Sequence, residues 1–160
     1  MFVTTAQFTG DLGGLAGADA KCQLAADNIA PGSAFLAWLS ITGTNAVDRV
    51  VGEGPWYSAD RATLLFTGKT MGANPLVGLS PAAPITENEL GQILPKDTFY
   101  WTGTKGAGVA SAQNCVGWTT ASGAAAGGNG GETGEASLLW TFTNGNVACN
   151  TPASLLCIEK

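Results

Sequence analysis

The sequence predicts an α+β fold with a mostly antiparallel sheet, one or two helices, long loops and two disulfides. Three observations carry the prediction. A single helix-period segment follows an opening strand-like stretch, and only short β-rich runs come after it. Twenty-three glycines and seven prolines punctuate the chain, which suits turns and loops better than a helical bundle. Four cysteines occur with no histidine and no C-x-x-C pair, so a mixed Cys/His metal site cannot be assembled and disulfides are the economical reading. With 160 residues, 45% of them hydrophobic, the chain has the material for one core, and a single domain over residues 1–160 is expected.

The elements read in order as follows. "FVTTAQFT" (2–9) is an opening strand, broken by "GDLGG" before a helix over 15–30. Within that helix Ala18, Cys22, Ala25 and Ile29 recur on one stripe, which places Cys22 on the buried face, and Pro31-Gly32 stops it. "AFLAWLSI" (34–41) is apolar at both parities, the pattern of a strand or core-crossing segment covered on both sides. Residues up to about 96 carry five prolines and only brief apolar runs such as "ATLLFTG", so long loops with fragments of strand are expected there. "TFYWTGT" (98–104) and "NCVGWTT" (114–120) read as strands, "ASGAAAGGNGGETGEA" (121–136) as a flexible surface loop, and "SLLWTFT" (137–143) and "ASLLCIE" (153–159) as the last two strands.

Composition excludes several function classes. A net charge of −5 with seven scattered Lys and Arg would repel a phosphate backbone, so no nucleic-acid partner is expected. The absence of histidine removes the commonest general base, zinc ligand and pH switch. Charged residues make up 12% of the chain, about half the usual share, so the surface must be built from Thr, Ser, Asn, Gly and Ala. No apolar run approaches the roughly 18 residues of a membrane helix, and residues 2–8 do not read as a signal peptide. The expected setting is nevertheless oxidising, with any membrane anchor outside this domain.

A cysteine on an early helix, a "WTGT" strand, a second cysteine and a terminal C-x7-C together resemble the C-type-lectin-like fold. Three blocks, "GADAKCQLAADNIAPGSAFLAWLS" (17–40), "YWTGT" with "NCVGWTT" (100–120), and "GEASLLWTFTNGNVACNTPASLLCIEK" (134–160), are similar to the endostatin-like branch of that fold. Within it, they resemble the bacterial endostatin-like proteins known from leptospires. Four cysteines allow three connectivities. The resemblance implies Cys22–Cys157 and Cys115–Cys149, and the first would close nearly the whole chain, worth on the order of 4 to 5 kcal/mol in the chain-entropy model.

The properties best known in these families do not transfer residue by residue. Calcium-dependent sugar binding needs a carboxylate-bearing loop between the "WTGT" strand and the next cysteine, and residues 103–114 contain no carboxylate; Asn146 stands where an aspartate would be wanted. Zinc and heparin binding need histidines and clustered arginines, and here there is no histidine and arginine only at 49 and 61. The remaining carboxylates show no paired spacing that would support acid/base catalysis. No catalytic residue, metal or cofactor is expected.

Trp38, Trp101, Trp118 and Trp140 lie in apolar β-rich runs and read as core. Trp56-Tyr57 in "GEGPWYSADR" is flanked by Gly, Pro and charges; it either anchors a partner or plugs its loop onto the core. Trp56, Tyr57, Asp60 and Arg61, with Asn129 and Glu132 on the glycine-rich stretch, are the candidate ligand contacts. The resemblance implies a non-catalytic extracellular recognition or adhesion domain, secreted or on a bacterial cell surface, that binds a protein or glycan of a host or prey surface. The alternative is a structural or tip domain of a surface fibre, self-associating as a trimer, which the low charge would favour.

Overall fold

A computed structural model gives the fold and describes every residue except 79, 125, 126 and 144. It is α+β, and both disulfides pair as the resemblance implies, Cys22 with Cys157 and Cys115 with Cys149.

The last strand organises the sheet. β7 (Ser154–Glu159) pairs antiparallel with β1 (Phe2–Val3) and with β2 (Phe35–Ala37), and parallel with β5 (Phe99–Trp101); β6 (Gly130–Glu132) adds antiparallel to β5. Successive β7 side chains enter different cores. Leu156 and Ile158 pack with Trp38, Phe66, Tyr100 and Trp140, whereas Leu155 and Cys157 pack with Phe2, Leu12, Trp101 and Trp118. That two-sided burial explains the unbroken apolar run "LLCI". The four core tryptophans are fully buried, and three of them donate the indole N–H within the core: Trp38 to Thr141 Oγ1, Trp101 to the Phe8 carbonyl and Trp118 to the Ser40 carbonyl, each at 2.9 Å.

The helix α1 (Gly14–Ala26) buries Ala18, Cys22 and Ala26 and is shorter than the 15–30 expected. Its polar face closes the free edge of β2. Asp19 Oδ1 accepts from the Ala37 N–H at 3.0 Å and Gln23 Oε1 from the Phe35 N–H at 2.8 Å, one helical turn apart. Arg49, at the end of the one-turn α2 (Ala46–Arg49), grips Asp19 with Nη2 at 2.6 and 2.7 Å and donates Nη1 to the carbonyls of Ala37 and Leu39. Side chains thus stand in for a neighbouring strand, leaving no open ladder there.

Four of the expected elements are corrected. The opening strand leaves the ladder after Val3 because Thr4 Oγ1 takes the Leu155 N–H that a backbone carbonyl would otherwise take, and the chain rejoins at a Phe8–Ala153 bridge. "SLLWTFT" forms a 3₁₀ turn at Leu138–Trp140, whose last carbonyl accepts the Tyr100 hydroxyl at 2.6 Å.

"NCVGWTT" is not a strand but a single left-handed turn at Cys115–Trp118, with φ of 48°, 56°, 69° and 65° in succession. Three of those residues are not glycine, at a cost of about 1 kcal/mol or more each. Asn114 Oδ1 accepts the Gly117 N–H at 2.9 Å, the Cys115–Cys149 bond pins the first residue and the buried Trp118 ring the last, so the surroundings over-determine the turn.

The fourth correction concerns the glycine-rich stretch. Residues 127–131 are buried, not a flexible surface loop, and they lead into and form the start of β6. A Cβ on Gly128 would lie 2.4 Å from the Trp101 ring, and one on Gly131 would lie 2.1 Å from the Trp140 carbonyl oxygen. The aromatic core packs directly against this backbone, which is why the segment is glycine. Ala125 and Ala126 of the same expected loop lie outside the described residues.

Candidate functional site

The segment between β2 and β5 is loop-rich, as expected, and it carries the hairpin of β3 (Trp56–Tyr57) and β4 (Leu64–Phe66). The hairpin turn is built by Asp60. Its Oδ1 accepts the N–H groups of Ala62 (2.9 Å) and Thr63 (3.0 Å), and its Oδ2 accepts the Thr63 hydroxyl. The Thr63 and Ala62 N–H groups hold this carboxyl below the ordinary range. From the other side Glu87 Oε2 accepts the Asp60 N–H at 2.8 Å. Locked between these bonds, Arg61 takes a left-handed φ of 58°.

Trp56 and Tyr57 separate in role. Trp56 is 5% exposed and donates its indole N–H to the Glu159 carbonyl at 3.0 Å, so it plugs the hairpin onto the end of β7. Tyr57, the next residue of the strand, is 39% exposed. The Met1 nitrogen donates to the Tyr57 carbonyl at 2.6 Å, tying β1 to the hairpin.

Between the hairpin, the turn after α1 and the end of β7 lies a groove of about 230 Å³. Phe2 and Phe35, whose rings sit 5.4 Å apart, contribute to its wall with Trp56 and Tyr57. Arg61 and Glu159 are the two charged side chains that line it, and Ser33 and Ser58 add hydroxyls. Sequence reasoning found Trp56, Tyr57 and Arg61 but missed Ser33, Phe35 and Glu159. Nothing local marks those three; pairing of Phe35 with Glu159 across β2 and β7 brings them to the site.

The six candidate contacts therefore divide. Trp56, Tyr57, Asp60 and Arg61 share the hairpin beside the groove, although Asp60 is engaged by its own turn. Asn129 and Glu132 lie at the far edge of the sheet. Asn129 is 2% exposed, inside the core; its Nδ2 donates to the Gly145 carbonyl at 3.0 Å, and Oδ1 has no partner among the described residues. Glu132 is half-buried, and its carboxyl is raised, by burial first and then by the charges of Asp97 and Glu135. Glu135 itself is held low by its hydrogen bond to Lys96, 3.1 Å away.

The groove offers aromatic surface, a guanidinium, serine residues and one carboxylate around a space of about 230 Å³. Among the described residues no group of three or more His, Cys, Asp or Glu is placed to hold a metal ion, and no helix is long and apolar enough to cross a membrane. No family model matches the chain, and a search of curated proteins finds no relative.

Proposed function

We infer that this chain is a non-catalytic extracellular recognition domain, of the endostatin-like branch of the C-type-lectin-like fold, borne on a bacterial cell surface and binding a protein or glycan. The observation that carries the reading is the hairpin groove. A half-exposed tyrosine and a charged arginine are held at its rim by a turn whose backbone is fixed by Asp60 and Glu87, so little conformational entropy remains to be lost when a ligand is bound. Two disulfides, one spanning 135 residues, support an oxidising compartment. The disulfide pairing agrees with the resemblance that suggested the fold. A glycan and matrix-protein array, probed with the wild-type chain and with a Tyr57→Ala/Arg61→Ala double variant, tests the reading. The expected result is chelator-insensitive binding that the double variant loses; binding that the variant retains in full would overturn the assignment to this groove.

A structural role by self-association is the second reading, favoured by one observation. Leu90 (63% exposed) and Ile93 (69%) project from a tight turn in which Asn88 Oδ1 accepts the N–H groups of Leu90 and Gln92, and Glu89 is bound by the N–H and hydroxyl of Thr5. Light scattering over a range of concentrations decides it: a stable trimer that Leu90→Ser/Ile93→Ser dissolves supports a fibre role, and a strict monomer removes it.

A further inference from the structure

We propose that the hairpin groove recognises a carboxylated sugar, a uronic- or sialic-acid-type residue, through Arg61; the proposal rests on the recognition reading above. Arg61 makes no ion pair among the described residues, where the ion pairs are Arg49–Asp19 and Lys96–Glu135. Its neighbour Asp60 is engaged by the turn, so it does not neutralise the guanidinium. One N–H, on Nη2, donates to the Ile29 carbonyl at 3.2 Å and orients the group across the groove, while its other donors have no partner among the described residues. An exposed, oriented, unpaired guanidinium on a chain of net charge −5 is a receptor for one carboxylate.

The rest of the lining decides which carboxylate. Glu159 stands in the same groove and would repel a polyanion, so sulfated chains and phosphate backbones are disfavoured. A ligand that satisfies both charges must offer a carboxylate to Arg61 and hydroxyl donors to Glu159, with an apolar ring face for Tyr57. A sugar acid carries all three on one ring. The hydroxyls of Ser33 and Ser58 lie in the same lining and add donors and acceptors of the kind sugar hydroxyls use. A space of about 230 Å³ suits a single terminal residue rather than a buried chain.

The test is an amide-resolved NMR titration of the intact chain with the methyl α-glycoside of N-acetylneuraminic acid, methyl β-glucuronide, methyl β-glucoside and N-acetyl-aspartate amide. The acid sugars should shift Tyr57, Arg61 and Glu159 and bind about tenfold tighter than the neutral glucoside, the factor expected of one charge-assisted pair. Arg61→Gln should erase that difference while leaving the spectrum otherwise unchanged. Equal affinity for acid and neutral sugar, tighter binding of the aspartate amide, or a preference that survives Arg61→Gln would overturn the proposal. If an array ligand shifts the groove but no acid sugar does, the ligand class is wrong and the recognition reading stands. If nothing shifts the groove, both fall.

Discussion

Two glycine-punctuated stretches, "GEGPWYSADR" and "GGNGGETG", look alike on paper and end in opposite surroundings. The first is a surface hairpin that presents Tyr57 and Arg61 to solvent; the second is buried backbone leading into the edge strand β6, with the Trp101 ring against Gly128 and the Trp140 backbone against Gly131. In the first, the turn's shape comes from Asp60, a side chain satisfying backbone N–H groups. In the second, glycine serves close approach: the backbone itself is the packing surface. The same residue type therefore signals a turn or a missing side chain, and only its neighbours in space distinguish the two.

Breaking that contrast at the core side should have the largest effect. Gly131→Ala places a methyl group 2.1 Å from the Trp140 carbonyl oxygen, a backbone atom that cannot swing aside. A loss of about 3 kcal/mol is expected, the upper range for overpacking, measured by urea denaturation. Gly32, at a φ of 90° and with open space where a Cβ would stand, is the control for crowding: there any cost of Ala comes from backbone conformation alone.

The fold was legible where the chain is covered on both sides or periodic. The helix with Cys22, the four core tryptophans and the "ASLLCIE" strand are found where the pattern places them. It was illegible where a side chain replaced a backbone partner. Thr4 interrupts the first strand with its hydroxyl, and Asn114 caps a left-handed turn inside what reads as β-propensity. No periodicity records such substitutions. Of the site, the hairpin half was legible as an unusual aromatic pair among charges, although Trp56 proved to be the plug and Tyr57 the exposed member. The other half, Ser33, Phe35 and Glu159, is created by β2–β7 pairing and has no local signature.

At the surface side the corresponding break is Asp60→Ala. It removes acceptors from the Ala62 and Thr63 N–H groups and from the Thr63 hydroxyl, and frees Arg61 from its left-handed conformation. A fall in Tm smaller than that of Gly131→Ala is expected, with hydrogen exchange accelerated in residues 58–63 and not in β6 or β7. Faster exchange spread over the whole sheet would show that the hairpin is not an independent unit.

Glu132 sharpens the contrast from the core strand by pH. Its folded carboxyl is raised above the ordinary 4.5, so the unfolded chain ionises first as pH rises. Stability is therefore lost as pH climbs from the unfolded value through the folded one, and the penalty is complete at neutral pH. Glu132→Gln should raise Tm at pH 7 and leave it unchanged at pH values well below 4.5, where both states hold the proton. A Tm difference of the same size at both pH values would assign the effect to packing instead.

The smallest expected effect on the fold belongs to the residue with the largest proposed role in binding. Arg61→Gly replaces a non-glycine residue at a φ of 58°, relieving left-handed strain while adding freedom to the unfolded chain. Those terms oppose each other, and the net change in stability should stay within about 1 kcal/mol. Arg61→Gln, which keeps the strain and removes only the charge, should likewise stay within about 0.5 kcal/mol. Comparing the two separates conformation from charge: if both abolish the preference for an acid sugar while Tm barely moves, the guanidinium is retained at a strained position for what it binds. If Arg61→Gly instead lowers Tm as far as Asp60→Ala does, the side chain's bond to the Ile29 carbonyl is holding the hairpin to the turn after α1, and the arginine is structural.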